Sequence, residues 1–219
     1  MISVLIAEDH TMVRYGTNMV LKELFPAVKI SQAVNFEQVI RLVDTQTFDL
    51  LILDINIPGG DNFQMIDVIR LRQPEIKILI FSAYDEQLFA IRYLQAGAKG
   101  YLMKQAPESE MKEAIRTVVK NDIYISPEIK HRLLFHAVEK KQTVDSNPLH
   151  SLSDRETEVM QQLIKGATMA AIARSLGLQL STVSTYKTRI FEKLEVNNLV
   201  ELVNKIHLYH NAPAKPMAS

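Results

Sequence analysis

Leu50-Leu51-Ile52-Leu53-Asp54-Ile55-Asn56-Ile57-Pro58-Gly59-Gly60 is an apolar run that ends on one carboxylate and breaks at Pro-Gly-Gly. Four consecutive aliphatics followed by breakers read as a strand buried on both faces, and such strands belong to parallel sheets covered by helices. In these sheets ligands and chemistry gather at the carboxyl ends of the strands, where Asp54 sits. An aspartate after a strand is also a common turn residue. The other strand ends therefore decide what Asp54 means.

Ser3 to Ala7 is a short apolar strand ending in Glu8-Asp9, followed by Val13, Tyr15, Met19, Val20 and Leu24 at near-helical spacing. Val28 to Ala33 is a second strand, and a helix capped by Asn35 runs through Val39, Ile40 and Val43. After the central strand come a helix through Met65, Ile66, Ile69 and Leu71, and a strand from Ile76 to Phe81 that ends in Ser82. A helix through Leu88, Ile91 and Leu94 stops at Gly97, and Gly100 to Lys104 forms a fifth strand. The helix from Ser109, with Met111, Ile115, Val118 and Val119 inward, closes the set. Five strands alternating with five helices predict a doubly wound α/β domain over residues 1–125.

Ser126-Pro127 is a cap followed by proline at the first helical position, which predicts a helix to about Lys141. Gln142 to Ser151 is polar, contains Pro148 and has no period, so residues 126–150 read as a helix and a flexible linker. Beyond them the pattern is purely helical. Ser153-Asp154-Arg155-Glu156 is a capping box leading into Val159, Met160, Leu163 and Ile164. Thr168 caps a short helix ended by Gly177, Ser181 caps a longer one over Thr182 to Leu194, and Asn197 or Asn198 caps the last, Leu199 to Tyr209. Four helices over 151–210, two joined by a tight glycine turn, predict a small all-α helix-turn-helix domain. The tail 211–219, with two prolines and no pattern, reads as disordered.

The chain of 219 residues has no cysteine, which excludes disulfides, thiolate metal sites and cysteine nucleophiles. No apolar run approaches the ~18 residues of a membrane span, and Met1 to Asp9 turns acidic too soon for a signal peptide, so a cytoplasmic protein is expected. The zero net charge hides a mild division: residues 1–125 carry 13 Lys+Arg against 16 Asp+Glu, and 151–219 carry 8 against 6. Charge alone does not propose nucleic acid.

The α/β half places Glu8-Asp9, Asp54, Ser82 and Lys104 after four different strands, and parallel strands open on one edge. Three crowded carboxylates repel unless a cation is present, and all-oxygen ligands suit Mg²⁺. A lysine and a hydroxyl opposite can then hold an anion. The simplest chemistry for such a set is phosphoryl transfer onto a carboxylate. His10 adds a nitrogen beside the acids, but hard oxygen ligands suffice without it.

Through Glu8-Asp9, Asp54, Pro58, Ser82-Ala83, Tyr101 and Lys104, the first 125 residues resemble a two-component response regulator receiver domain, whose fold is the flavodoxin-like five-stranded parallel one. The resemblance implies that Asp54 accepts phosphate from a sensor histidine kinase, and that Glu8, Asp9, Asp54 and the Asn56 carbonyl bind Mg²⁺. It further implies that Ser82 and Lys104 contact the phosphoryl oxygens and that Tyr101 turns inward as Ser82 moves.

Leu152-Ser153-Asp154-Arg155-Glu156-Thr157-Glu158-Val159, Ile172-Ala173 and Ser181-Thr182-Val183-Ser184-Thr185-Tyr186 resemble the LuxR-type helix-turn-helix of the NarL/FixJ subfamily. Carried over, Ser184, Thr185 and Thr188 face the bases of promoter DNA, while Lys187, Arg189 and Lys193 are candidates for phosphate contacts. Short hydroxylated side chains lack the bidentate arginine–guanine discrimination, so selectivity rests on dimerisation. Leu202, Val203 and Ile206 on the last helix are the candidate dimer contacts. Ala170-Ala171, Ser184 and Leu199 stand where the subfamily usually carries charge, which weakens the electrostatic term.

The chain therefore reads as a phosphorylation-controlled transcriptional regulator and not an enzyme with its own substrate, a reading compatible with its promoting its own dephosphorylation. A homodimer on activation and contact with RNA polymerase belong to that reading. Two others stay open: a constitutive or partner-regulated DNA-binding or scaffold protein, and an aspartyl-phosphate phosphotransferase.

Overall fold

The aliphatic runs become five parallel strands: β1 (Ser3–Ala7), β2 (Lys29–Ala33), β3 (Leu50–Leu53), β4 (Lys77–Ser82) and β5 (Gly100–Met103). The computed structural model describes residues 1–60, 64–131 and 148–210, and the chain divides into two units, Met1–Glu139 and Lys140–Ser219. Helices α1 (Thr11–Leu24), α2 (Phe36–Thr45), α3 (Gln64–Arg72), α4 (Glu86–Gln95) and α5 (Glu108–Val119) alternate with the strands. The sheet order β2-β1-β3-β4-β5 reverses between β1 and β3. That reversal makes β1 and β3 neighbours, pairing Ala7 with Leu53, so the acids that follow each strand emerge side by side.

Every residue of β3 is buried, as its unbroken aliphatic run requires. Alternate residues feed two cores: Leu51 and Leu53 join Met65, Ile66, Phe89 and Tyr93 on one face, while Leu50 and Ile52 join Leu21, Met111, Ile115 and Val118 on the other. Asn35 caps α2, its side chain accepting from the Gln38 amide at 2.9 Å. Gly59 after Pro58 adopts φ +78°, a conformation that strains other residues.

The structure corrects several apolar assignments. Tyr15 and Met19 on α1 and Leu71 on α3 are exposed, the buried α1 positions being Thr17, Val20 and Leu21. On α4 the inward residues are Phe89, Ala90 and Tyr93, and Leu88, Ile91 and Leu94 are half-buried. Aromatic packing sets that phase: Tyr84 stacks on Phe89 at 5.2 Å, and Tyr93 lies 6.4 Å from Phe89 and 6.1 Å from Tyr101.

In the second unit a 3-10 turn (Pro148–Ser151) precedes α6 (Asp154–Ile164), α7 (Met169–Ser175), α8 (Leu180–Lys193) and α9 (Leu199–His210). The α6 capping box is formed in both directions, Ser153 Oγ accepting from the Glu156 amide and Glu156 accepting from the Ser153 amide. Thr168 caps α7, and Gly177 at φ +63° turns the chain toward α8. Ser181 is not a cap: α8 begins two residues earlier than expected, at Leu180 after Gln179, whose side chain makes no cap bond. Asn198 caps α9, accepting from the Glu201 amide at 2.9 Å. The expected helix beyond residue 131, the linker to residue 147 and the tail 211–219 lie outside the described residues; 127–131 are helical. No helix among the described residues is long and apolar enough to cross a membrane.

Candidate functional site

Backbone pairing builds the first site. The Asp54 amide donates to the Ala7 carbonyl at 2.9 Å, and the Lys104 amide donates to the Ser82 carbonyl at 2.7 Å. The ends of β1, β3, β4 and β5 thus deliver Glu8, Asp9, Asp54, Ser82 and Lys104 to one edge.

Glu8, Asp54 and Ser82 are buried. Lys104 Nζ sits 2.8 Å from Asp54 Oδ2 and 2.6 Å from Glu8 Oε2. Burial pushes the Asp54 carboxyl above the usual carboxylate range, and Lys104 and the Asn56 amide, 3.1 Å from Oδ1, only partly offset it. For Lys104 burial works downward, but Asp54 and Glu8 together outweigh it and hold the ammonium above its ordinary value. His10 Nδ1 approaches Glu8 Oε1 at 2.9 Å and Asp9 Oδ1 at 2.8 Å; the hydrogen bond to Glu8, then the charge of Asp9, raise its pKa.

Carboxylate oxygens of Glu8, Asp9 and Asp54 and a ring nitrogen of His10 lie within 4.8 Å of one another. Glu8 Oε2 and Asp9 Oδ1 are buried without a well-aligned hydrogen bond, since Lys104 and His10 are close to them as charges but poorly directed as donors. Hard oxygens lacking directed donors suit a hard divalent cation such as Mg²⁺.

Two groups that the strand-end pattern does not single out complete the pocket. Arg14 donates to the carbonyls of Glu8 at 2.8 Å and Asp9 at 3.2 Å, and to Gln32 Oε1 at 3.0 Å, bracing the acidic turn from behind. Tyr84 donates its amide to Ser82 Oγ at 3.0 Å, and its carbonyl accepts the Tyr101 hydroxyl at 3.0 Å. Tyr101 is fully buried, and burial raises its phenol pKa despite the hydrogen bond with Ser82. The only sequence signal for Arg14 is its place one helical turn after His10, whose carbonyl its amide bonds.

In the second unit, Val183 and Ile190 of α8 and Leu194, its C-cap, are buried and Tyr186 is half-buried. Ser184, Thr185, Thr188 and Arg189 are exposed. The threonine hydroxyls donate back into the helix, Thr185 to the Ser181 carbonyl at 3.0 Å and Thr188 to Ser184 at 3.2 Å. They are left to accept bonds and to present methyl groups. Lys187 lies over the Phe191 ring at 5.3 Å.

Lys193 departs from its expected place on a phosphate-binding face. Its ammonium bonds Glu156 at 2.7 Å and the Ser151 carbonyl at 3.1 Å, drawn there because Glu156 is a buried carboxylate. Leu202 and Ile206 are also not available to a second copy: their spacing of four residues places both in the domain's own core. Val203 is half-buried, and among the residues of α9 whose exposure is described the outward apolar ones are Leu199 and Val200.

Residues 4–116 match the response regulator receiver domain, and residues 150–206 match the bacterial regulatory proteins of the luxR family. The chain belongs to the NarL/FixJ family of response regulators. This response regulator is 34% identical over 202 residues to the response regulator GacA of Pseudomonas aeruginosa, covering 92% of this chain and 94% of GacA. It is 30% identical over 204 residues to UvrY of Escherichia coli, covering 93% of each. Its fold is similar to that of RcsB from Salmonella enterica serovar Typhimurium, solved bound to the promoter rprA with the phosphomimetic BeF3−. That likeness has a TM-score of 0.61 and 24% identity, over 93% of this regulator and 97% of the RcsB chain.

Proposed function

We propose that this response regulator controls transcription through phosphate accepted on Asp54 from a sensor histidine kinase. The observation that carries the reading is the buried Asp54 carboxylate, bridged by Lys104 from the end of β5 and flanked by Glu8 and Asp9 from the end of β1 and Ser82 from the end of β4. The carboxylates of Glu8, Asp9 and Asp54 and the Asn56 carbonyl would hold Mg²⁺, which when bound supplies positive charge against the phosphoryl oxygens. Lys104 and Ser82 contact those oxygens, Tyr101 follows Ser82, and the pocket turns a charge change into a surface change.

In the second unit, α8 enters the major groove with Ser184, Thr185 and Thr188 toward the bases, and Lys187 and Arg189 toward phosphates. The match to the luxR family and the RcsB–promoter complex support this assignment. Lys193 acts indirectly by holding the C-terminal end of α8. Dimerisation runs through Leu199, Val200 and Val203 on the outer face of α9. The regulator works in the cytoplasm, with RNA polymerase as a further partner, the receiver ending near residue 125 and the DNA-binding unit spanning 151–210. It turns over no substrate beyond hydrolysis of its own phosphoryl group.

Binding to a promoter-fragment library, with Mg²⁺ and beryllium trifluoride present or absent, tests the reading on wild type and Asp54→Asn, with mass measured in solution. The mimic dimerises wild type and tightens its binding while leaving Asp54→Asn unmoved. Identical binding in all four samples would remove the switch and leave a constitutive DNA-binding protein.

A further inference from the structure

The segment that leaves the receiver sheet is fastened to the first turn of α4. Tyr124 forms a parallel bridge with Gly100 at the β5 edge, its amide donating to the Lys99 carbonyl at 2.8 Å. Two residues later, Ser126 is buried and its hydroxyl donates to Glu86 Oε1 at 2.5 Å; Glu86 is buried too. Ser126 also caps helical residues 127–131, its Oγ accepting from the Ile129 amide at 3.2 Å and its carbonyl from the Lys130 amide at 3.0 Å. Beside this, Gln87 Nε2 bonds the Glu128 carboxylate, and Ile129 is buried.

Glu86 follows Tyr84 and Asp85, the α4 cap, whose side chain accepts from the Gln87 amide at 2.9 Å. Tyr84 is held on Ser82 Oγ by its amide and on Tyr101 by its carbonyl. A short, bonded stretch of chain therefore connects the hydroxyl beside Asp54 to the cap of the helix that leads out of the receiver. A buried carboxylate is costly without a partner, so its bond to Ser126 is directional and strong while made.

We propose that Glu86 is a positioning residue for the output of the receiver, latching Ser126 and residues 127–131 to the segment that carries Ser82. Movement of Ser82 toward a phosphoryl group on Asp54 shifts Tyr84 to Glu86 and loosens the latch. The bistable element is the Glu86–Ser126 bond, made in the unphosphorylated receiver and weakened in the phosphorylated one. This rests on the reading of Asp54 as phosphoacceptor.

Amide hydrogen exchange on the full chain tests it, with Lys130 reporting the latch and Asn56 and Tyr84 reporting the pocket. In wild type, Mg²⁺ with beryllium trifluoride speeds exchange at Lys130 about tenfold, the scale of losing one hydrogen bond to a charged group. Glu86→Met exchanges at the fast rate from the start and gains nothing further, while Glu86→Gln, which keeps an acceptor oxygen, behaves as wild type. Ser126→Gly serves beside it: it removes the side chain that donates to Glu86 and accepts from Ile129, yet glycine at an N-cap forfeits only a few tenths of a kcal/mol; it matches Glu86→Met. A merely structural role would change the Lys130 rate equally with and without the mimic. The proposal is overturned if Asn56 and Tyr84 respond while wild-type Lys130 does not, or if Glu86→Met keeps the tenfold response. Silence at Asn56 and Tyr84 in wild type overturns the phosphoacceptor reading itself, and the latch with it.

Discussion

Lys104 and Asp54 form a buried ion pair 2.8 Å long, and the same ammonium lies 2.6 Å from Glu8. One cation therefore balances two carboxylates that burial disfavours. Lys104→Met leaves both acids uncompensated, and the expected loss is about 3 kcal/mol of receiver stability, measured by urea unfolding. Added Mg²⁺ restores part of it.

The pH dependence has the opposite sign to that of an ordinary surface acid. Because the folded-state pKa of Asp54 is raised, the folded chain binds its proton more tightly than the unfolded chain does. Stability contributed at this position is greatest below the ordinary carboxylate pKa and falls as pH rises from there through the folded value. The stability difference between wild type and Asp54→Asn, followed across that window, moves in favour of the asparagine variant as pH rises.

Arg14 touches none of the carboxylate oxygens yet fixes the backbone that presents them. Replacing it by methionine weakens Mg²⁺ binding about tenfold, as loss of an orienting group around a metal does. Titration calorimetry with Mg²⁺ measures this directly. The thermal midpoint reports it a second way, since metal at ten times its dissociation constant stabilises wild type by about 1.4 kcal/mol and Arg14→Met by much less.

In the helix-turn-helix unit, burial pushes the Glu156 carboxyl up, but the Lys193 hydrogen bond and the capping-box bonds outweigh it and leave the pKa lowered. The stability this gives is complete above the ordinary carboxylate pKa and is lost as pH falls through the folded value below it. Lys193→Met forfeits about 1.5 kcal/mol near neutral pH and reduces that acid-side dependence, the capping-box bonds remaining. Its salt dependence of DNA binding stays that of wild type, whereas Arg189→Ala lowers the slope of log K against log salt by about 0.9.

Leu202→Ala and Val200→Asp separate folding from pairing. The first opens a cavity in the core and costs about 3 kcal/mol of domain stability. The second, on an exposed position, changes stability by less than about 0.5 kcal/mol but lowers the mass of the activated protein on DNA toward that of a monomer.

The positions of the acids, Ser82 and Lys104 are legible because a charged or polar residue closes each of these aliphatic runs and parallel strands open together. What was hidden follows from partners that spacing does not encode. The α1 sequence has apolar residues on two faces, so Tyr15 and Met19 look like core although they are exposed, and Val13, Val20, Leu21 and Leu24 are the ones that pack on the sheet. On α4, Leu88, Ile91 and Leu94 form a better apolar series than Phe89, Ala90 and Tyr93, yet the ring of Tyr84 selects the second. Lys193 could not be assigned without knowing that the Glu156 carboxylate lies within its reach.

On the last helix Leu202 and Ile206 are buried, while Leu199 and Val200 in its first turn are exposed. Substitutions at the outer pair leave the inner pair untouched, so mutation can explore new mating surfaces without unfolding the unit that carries them. Duplicated copies of such a regulator can diverge until they no longer pair with each other, each still holding the same hydrophobic interior.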